Sequence, residues 1–202
     1  MPKTKEQYEQ IKNERIKEIY KHSLYLFATH GLAGVTSDQI TKAVGCSHGL
    51  LYHYFRSKDE LFHSLINNVA LKIEAEIIKD VDFDQEPKEL IKQLLDAYLN
   101  ALRSPRDDFA CTIYLLLNLY IHSKKVQDPQ LSFRFAVFEN FYAAIDKGKK
   151  SGVFVDYPTI ELTVTVMSAL KGLSYNRINL GHGNCTIPQS EIIVRMLLKK
   201  LK

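Results

Sequence analysis

The sequence predicts an all-α chain of about nine helices, with a three-helix N-terminal domain ahead of a larger helical one. Three observations carry that prediction. Apolar residues recur at i, i+3, i+4 and i+7 along nearly the whole chain, the period of an amphipathic helix. Glycine and proline number only 9 and 6 in 202 residues, and most of them fall between the periodic segments. No segment alternates apolar and polar residues as a half-buried strand does. With 46% hydrophobic and 25% charged residues the composition is globular, which excludes a disordered or fibrous chain.

The elements follow in order. Ile16, Ile19, Tyr20, Leu24 and Phe27 form one stripe, and their helix stops at His30-Gly31. Thr36 and Gln39 stand three apart as a capping box that opens a second, short helix. Its buried side is Ile40, Ala43 and Val44, and Gly45 ends it. A third helix runs from Ser47 to Phe55 with Leu51 and Phe55 turned inward. Ser57 and Glu60 form a second box ahead of a long helix carrying Leu61, Phe62, Leu65, Ile66, Val69, Ile73 and Ile77. After a loop over 82–86, Pro87 opens a helix at the position where its missing N–H costs nothing. Residues 108–122 are apolar nearly all round, which predicts a helix buried among others. Pro129 opens the next, with Phe135, Phe138, Phe141, Tyr142 and Ile145 on its inner side, and 148–157 is a connector. Pro158 begins a helix to Leu180, and Pro188 a last one to Leu201. The domain division is placed at 1–57 and 58–202.

Several function classes drop out. The longest apolar run, Ile113 to Ile121, is broken by Asn118 and falls short of the roughly 20 residues of a membrane span. The first residues hold no apolar core of a signal peptide. Cys46, Cys111 and Cys185 are an odd, widely spaced set that fits reduced thiols. A cytoplasmic protein without a membrane partner is expected. No nucleophile with a base, no HExxH and no Gly-rich phosphate loop is present, and Asp107 and Asp108 diverge on a helix. His182 and Cys185 offer two metal ligands where a zinc site takes four. No catalytic residue, metal or cofactor is therefore predicted. The charge balance, 27 Lys and Arg against 23 Asp and Glu, permits a nucleic-acid partner without requiring one.

Residues 36–61 are the informative part. A short helix, a turn through Gly45 and a second short helix make a helix-turn-helix, which offers its second helix to a DNA major groove. Burying Leu51 and Phe55 leaves Ser47, His48, Gly49, Tyr52 and His53 on the outer side or the first turn. These are short or aromatic polar groups able to reach base edges or phosphates, beside free N–H groups at a helix start. Gly49 admits a close backbone approach. Leu50 points outward toward a thymine methyl, and Lys58 is placed to clamp a phosphate. A plain three-helix core with an incidental turn is the alternative.

The run from Thr36 through Ile40, Ala43-Val44-Gly45-Cys46-Ser47, Gly49, Leu51-Tyr52, Tyr54-Phe55 and Ser57-Lys58 to Leu61 resembles the DNA-binding domain of the tetracycline-repressor (TetR) family. Leu26-Phe27 and Gly31 resemble that family's first helix. The resemblance implies a homodimer that binds double-stranded DNA at a palindromic operator and releases it when a small molecule enters the C-terminal domain. It implies DNA-contact roles for Thr36, Ser37, Ser47, His48, Gly49, Tyr52 and His53, with Lys58 at the backbone. Cys46 stands where the family usually has Val, and Leu50 is bulkier than the residue usual there. An activator, or a DNA-organising protein without a small ligand, is the alternative within the same class.

The C-terminal region resembles the family only in layout. Its dimer contact is expected on the helices near 158–180 and 188–201, where Ile160, Val164, Met167 and Leu170 with Ile192, Ile193, Met196 and Leu197 exceed what a lone hairpin exposes. Tyr98, Tyr114, Tyr120, Phe138, Phe141, Tyr142 and Tyr175, with Asn118, Cys111 and Met167, are candidates to line a mostly apolar effector cavity, plain core packing being the other reading. Cys111 reads either as a redox sensor or as a buried small hydrophobe. Lys171 reads either as an anion ligand or as a snorkelling residue at the interface rim.

Overall fold

The structure, a computed structural model, describes the backbone of residues 4–123 and 136–199 and side chains outside 119–123 and 136. Among the described residues it holds nine helices and no strand longer than a single bridge. They are α1 (Lys5–Gly34), α2 (Ser37–Val44), α3 (His48–Tyr54), α4 (Lys58–Leu65), α5 (Leu71–Ile78), α6 (Pro87–Arg103), α7 (Asp107–Ser123), α8 (Ala136–Lys150), α9 (Thr159–Leu180) and α10 (Ser190–Leu197). A π-helical turn, Ile66–Ala70, joins α4 to α5 without a break, so the two count as one helix. Contacts divide the chain into two compact units, Met1–Lys72 and Ile73–Lys202. By those contacts α4 groups with the first unit, whereas the sequence reading drew the line ahead of it.

The first unit is set by local signals. Thr4 and Gln7 form a capping box that starts α1 well before the apolar stripe. Gly31 takes φ +69°, a left-handed conformation that interrupts α1 where a stop was expected. Thr36 and Gln39 make the predicted reciprocal box. Gly45, at φ +66°, ends α2 with its N–H donated to Lys42 and Thr41 carbonyls. Ser57 caps α4 by accepting from the Glu60 N–H, but the Glu60 carboxylate accepts from the Arg56 N–H, so the second box is only half formed. Ile19, Leu24, Phe27, Ile40, Leu51, Phe55, Leu61, Phe62 and Leu65 make the core. Phe27 and Phe62 meet edge to face at 5.1 Å. Ala43 is exposed, against expectation, and Thr41 is buried in its place. An eight-residue helix lets only one narrow arc face the core.

In the second unit α7 and α8 pack on α9, and α6 packs on α8 and α10. Leu94, Leu95, Tyr98, Phe141, Ile145, Leu170 and Val194 lie in one apolar cluster. Two boundaries differ from expectation. Gly148 lies inside α8, because a Cβ there would stand 2.1 Å from the Phe154 ring, and only glycine admits that ring. The last helix ends at Leu197, because the chain beyond it pairs with 153–155: Val155 N–H donates to Leu197 and Lys199 N–H to Val153. The expected helix start at Pro129 and the inward position of Phe135 lie outside the described residues, as does the Tyr120 side chain. No helix among the described residues is long and apolar enough to cross a membrane.

Candidate nucleic-acid interface

Buried Leu51 and Phe55 fix which side of α3 faces out. His48, Gly49, Tyr52 and His53, at i, i+1, i+4 and i+5, are all exposed and form one stripe. Ser47 caps α3 by accepting from the Leu50 N–H at 3.2 Å. A Cβ on Gly49 would meet nothing nearer than the Ser47 Oγ at 3.9 Å, so the backbone there faces open space.

The stripe is braced from α2. Tyr52, 48% exposed, donates its phenol to the Ser37 Oγ at 3.1 Å. The His48 ring stacks on Tyr52 at 6.2 Å and places Nε2 2.8 Å from the Asp38 carboxylate. Sequence reasoning missed Asp38, whose partner is decided only by the crossing of two helices. His53 meets the edge of Tyr54 at 5.2 Å. Thr36 is exposed at the α2 start, with its hydroxyl engaged in the capping box.

Two residues sit differently from expectation. Leu50 is half-buried and lines, with Tyr54, a groove of about 590 Å³ against Ile11, Arg15 and Glu18 of α1. Residues 50 and 54 share a face four apart, and that face looks at α1, not outward. The Lys58 ammonium donates to the Leu32 carbonyl at 2.6 Å and the Val35 carbonyl at 2.7 Å, closing the end of α1 onto the start of α4.

In the second unit the expected cavity residues separate. Tyr98, Cys111, Phe141 and Met167 are buried, and Tyr98 meets Phe141 at 5.7 Å. Tyr114, Asn118 and Phe138 are half-buried. Tyr142 and Tyr175 are exposed, each paired with a neighbour: Phe138 at 6.0 Å and Tyr114 at 5.6 Å. The Lys171 ammonium lies 5.7 Å from the Tyr114 ring. A narrow void lies between α5, α6, α7 and α8, lined by Glu74, Tyr98, Thr112, Ile113, Leu117 and Val137 among others. Glu74 and Thr112 were not expected there. Glu74 falls within the arc of Ala70, Ile73 and Ile77, and that phase is the signal that would have found it. Burial pushes the Cys111 thiol up to about 12, with Asp107 and Asp108 adding to the shift. Among the described residues no group of three or more His, Cys, Asp or Glu side chains can hold a metal.

The exposed faces of α9 and α10 carry Ile160, Val164, Ile192 and Met196, whereas Met167, Leu170, Ile193 and Leu197 face the core. Half of the apolar set expected at a dimer contact is therefore internal.

Residues 19–65 match the family of bacterial regulatory proteins described as the tetR family. The chain is 27% identical over 187 residues to the uncharacterized HTH-type transcriptional regulator YerO of Bacillus subtilis, covering 89% of this chain and 61% of that protein. It is 30% identical over 144 residues to the HTH-type transcriptional regulator PksA of the same organism, covering 68% and 67%. The chain spans half to about three fifths of the length of the first curated relatives it matches. The solved structure of a transcriptional regulator from Saccharomonospora viridis in complex with choline is similar with a TM-score of 0.61 at 16% identity, covering 93% of this chain and 100% of that one. That likeness is one of fold.

Proposed function

This chain belongs to the tetR family of bacterial regulatory proteins, and on that premise we propose that it is a sequence-specific DNA-binding transcriptional regulator. In this reading it is a cytoplasmic homodimer, without catalysis or cofactor, that represses from a palindromic operator. A small, largely apolar or aromatic effector taken up by the second unit releases it.

The observation that carries the reading is the stripe of His48, Gly49, Tyr52 and His53, exposed on a helix whose other side is buried. Side chains on one face of a short helix can enter a major groove together. Ser47 and the free N–H groups of its helix start suit a phosphate. Thr36 and Ser37 would meet the backbone from the start of α2, with Lys58 holding the segment between α1 and α4. Ile160, Val164, Ile192 and Met196 support a dimer through α9 and α10. The bound choline of the structural neighbour supports a small-molecule site in this fold.

The mechanism is a population shift. DNA favours recognition helices one turn apart in the dimer, about 34–36 Å, and the effector favours another spacing. It releases DNA only by its difference in affinity for the two.

Selection of bound duplexes from a random DNA pool at moderate salt tests the reading. An enriched palindrome is the expected result. Salt-sensitive binding without sequence preference points instead to a DNA-organising protein, and no binding contradicts both.

A further inference from the structure

Glu74, on α5, is 3% exposed and lies wholly within the second unit. Its Oε1 accepts from the Val137 N–H at 2.7 Å and from the Tyr98 phenol at 3.3 Å. A carboxylate offers about four acceptor positions, and these two bonds take up two of them. No lysine, arginine or histidine forms an ion pair with it among the described residues, and burial pushes its ionisation above the ordinary carboxylate value. A buried carboxylate without a counter-ion is costly to keep and is a sign of a binding role.

Thr112 faces the same narrow void from α7. It is fully buried, and among the described residues its Oγ1 has no hydrogen-bond partner. Other helical hydroxyls of this unit do not stand so: Thr163 donates to the Thr159 carbonyl and Ser174 to the Leu170 carbonyl, each four residues back. The void is thus lined by the buried Glu74 carboxylate and the unpartnered Thr112 hydroxyl, with Ile77, Ile113, Leu116 and Leu117 for apolar walls.

We propose that Glu74 and Thr112 form the polar end of a site for a protonated amine on an apolar body. The ammonium donates N–H bonds to the Glu74 carboxylate and the Thr112 hydroxyl oxygen, and the body lies against the isoleucines and leucines. An anionic ligand meets repulsion there, and a neutral one leaves the carboxylate uncompensated. The void is too narrow to hold even a water in this structure, so binding requires its walls to move apart. The inference rests on the reading of the second unit as the effector-binding part.

The test uses the full chain and three probes of matched shape: 4-phenylbutylamine, 4-phenylbutanol and 4-phenylbutyrate, titrated by calorimetry. The amine is expected to bind at least about tenfold more tightly than the alcohol, and the acid not at all. Glu74→Gln, which keeps an acceptor for Val137 and Tyr98, removes that preference. Thr112→Val weakens amine binding and keeps the helix content, and it decides the matter if the first variant fails to fold. Equal binding of amine and alcohol, no binding of the amine, or an amine preference that survives both substitutions overturns the proposal. Release of a selected duplex is read in parallel. Glu74-dependent amine binding without release keeps this site and overturns the effector reading. Release by the alcohol as readily as by the amine keeps that reading and overturns this site.

Discussion

The Nε2 of His48 stands 2.8 Å from an Asp38 carboxylate oxygen, so the first residue of α3 is held by the first turn of α2. The Tyr52 phenol, on Ser37, makes a second tie between the same two helices. Both ties lie on the exposed side. They order two aromatic rings that would otherwise each have several rotamers free in water, and they lower the entropy lost when the rings meet a groove.

Lys58 links stability to this geometry. Lys58→Met removes two charge-assisted hydrogen bonds to the Leu32 and Val35 carbonyls. The expected loss is about 1–2 kcal/mol in the unfolding of the first unit, read by urea titration. The slope of log affinity against log salt for DNA should stay unchanged. A fall of about 0.9 in that slope gives Lys58 the phosphate contact instead.

Gly148→Ala is expected to destabilise the second unit by about 1–3 kcal/mol, because the new methyl meets the buried Phe154 ring. Chemical unfolding measures this. Adding Phe154→Leu should recover part of the loss, and no recovery places the strain elsewhere.

Cys111 should be inert. With its thiol pushed up to about 12, roughly one molecule in ten thousand is thiolate at pH 8. Mass spectrometry after brief maleimide treatment should find Cys46 and Cys185, both half-buried, modified first and Cys111 only after urea. Labelling of Cys111 at the same rate contradicts the burial and revives a sensing role.

What was legible in the sequence was local. Thr36 with Gln39, Gly45 and the inward pair Leu51 and Phe55 are fixed by capping, handedness and helical period, and each stands where the residues put it. What was not legible depends on a neighbour from far along the chain. Gly148 reads as a loop residue until Phe154 is known to need its space. Leu50 turns toward α1, and Asp38 matters only because α3 crosses α2 there. Tyr175 and Tyr142 fall outside because aromatic side chains with a polar tip mark core and surface alike.

The outer face of α10 carries Ile192 and Met196 at 58% and 64% exposure. Sedimentation should give a particle of twice the 23.2 kDa chain mass. The double substitution Ile192→Glu and Met196→Glu should give the single-chain mass with unchanged helix content, since neither side chain supports the core. A variant that keeps the wild-type mass moves the dimer contact away from α10.

The central claim is that the outward stripe of α3 reads bases. Its direct measurement is the ratio of affinities for the enriched duplex and for a scrambled duplex of equal length and composition, at one salt concentration, in the wild-type chain and in Tyr52→Ala with His53→Ala. The ratio should fall at least about tenfold with little change in melting temperature, because both side chains are exposed. A ratio that stays at its wild-type value contradicts the account.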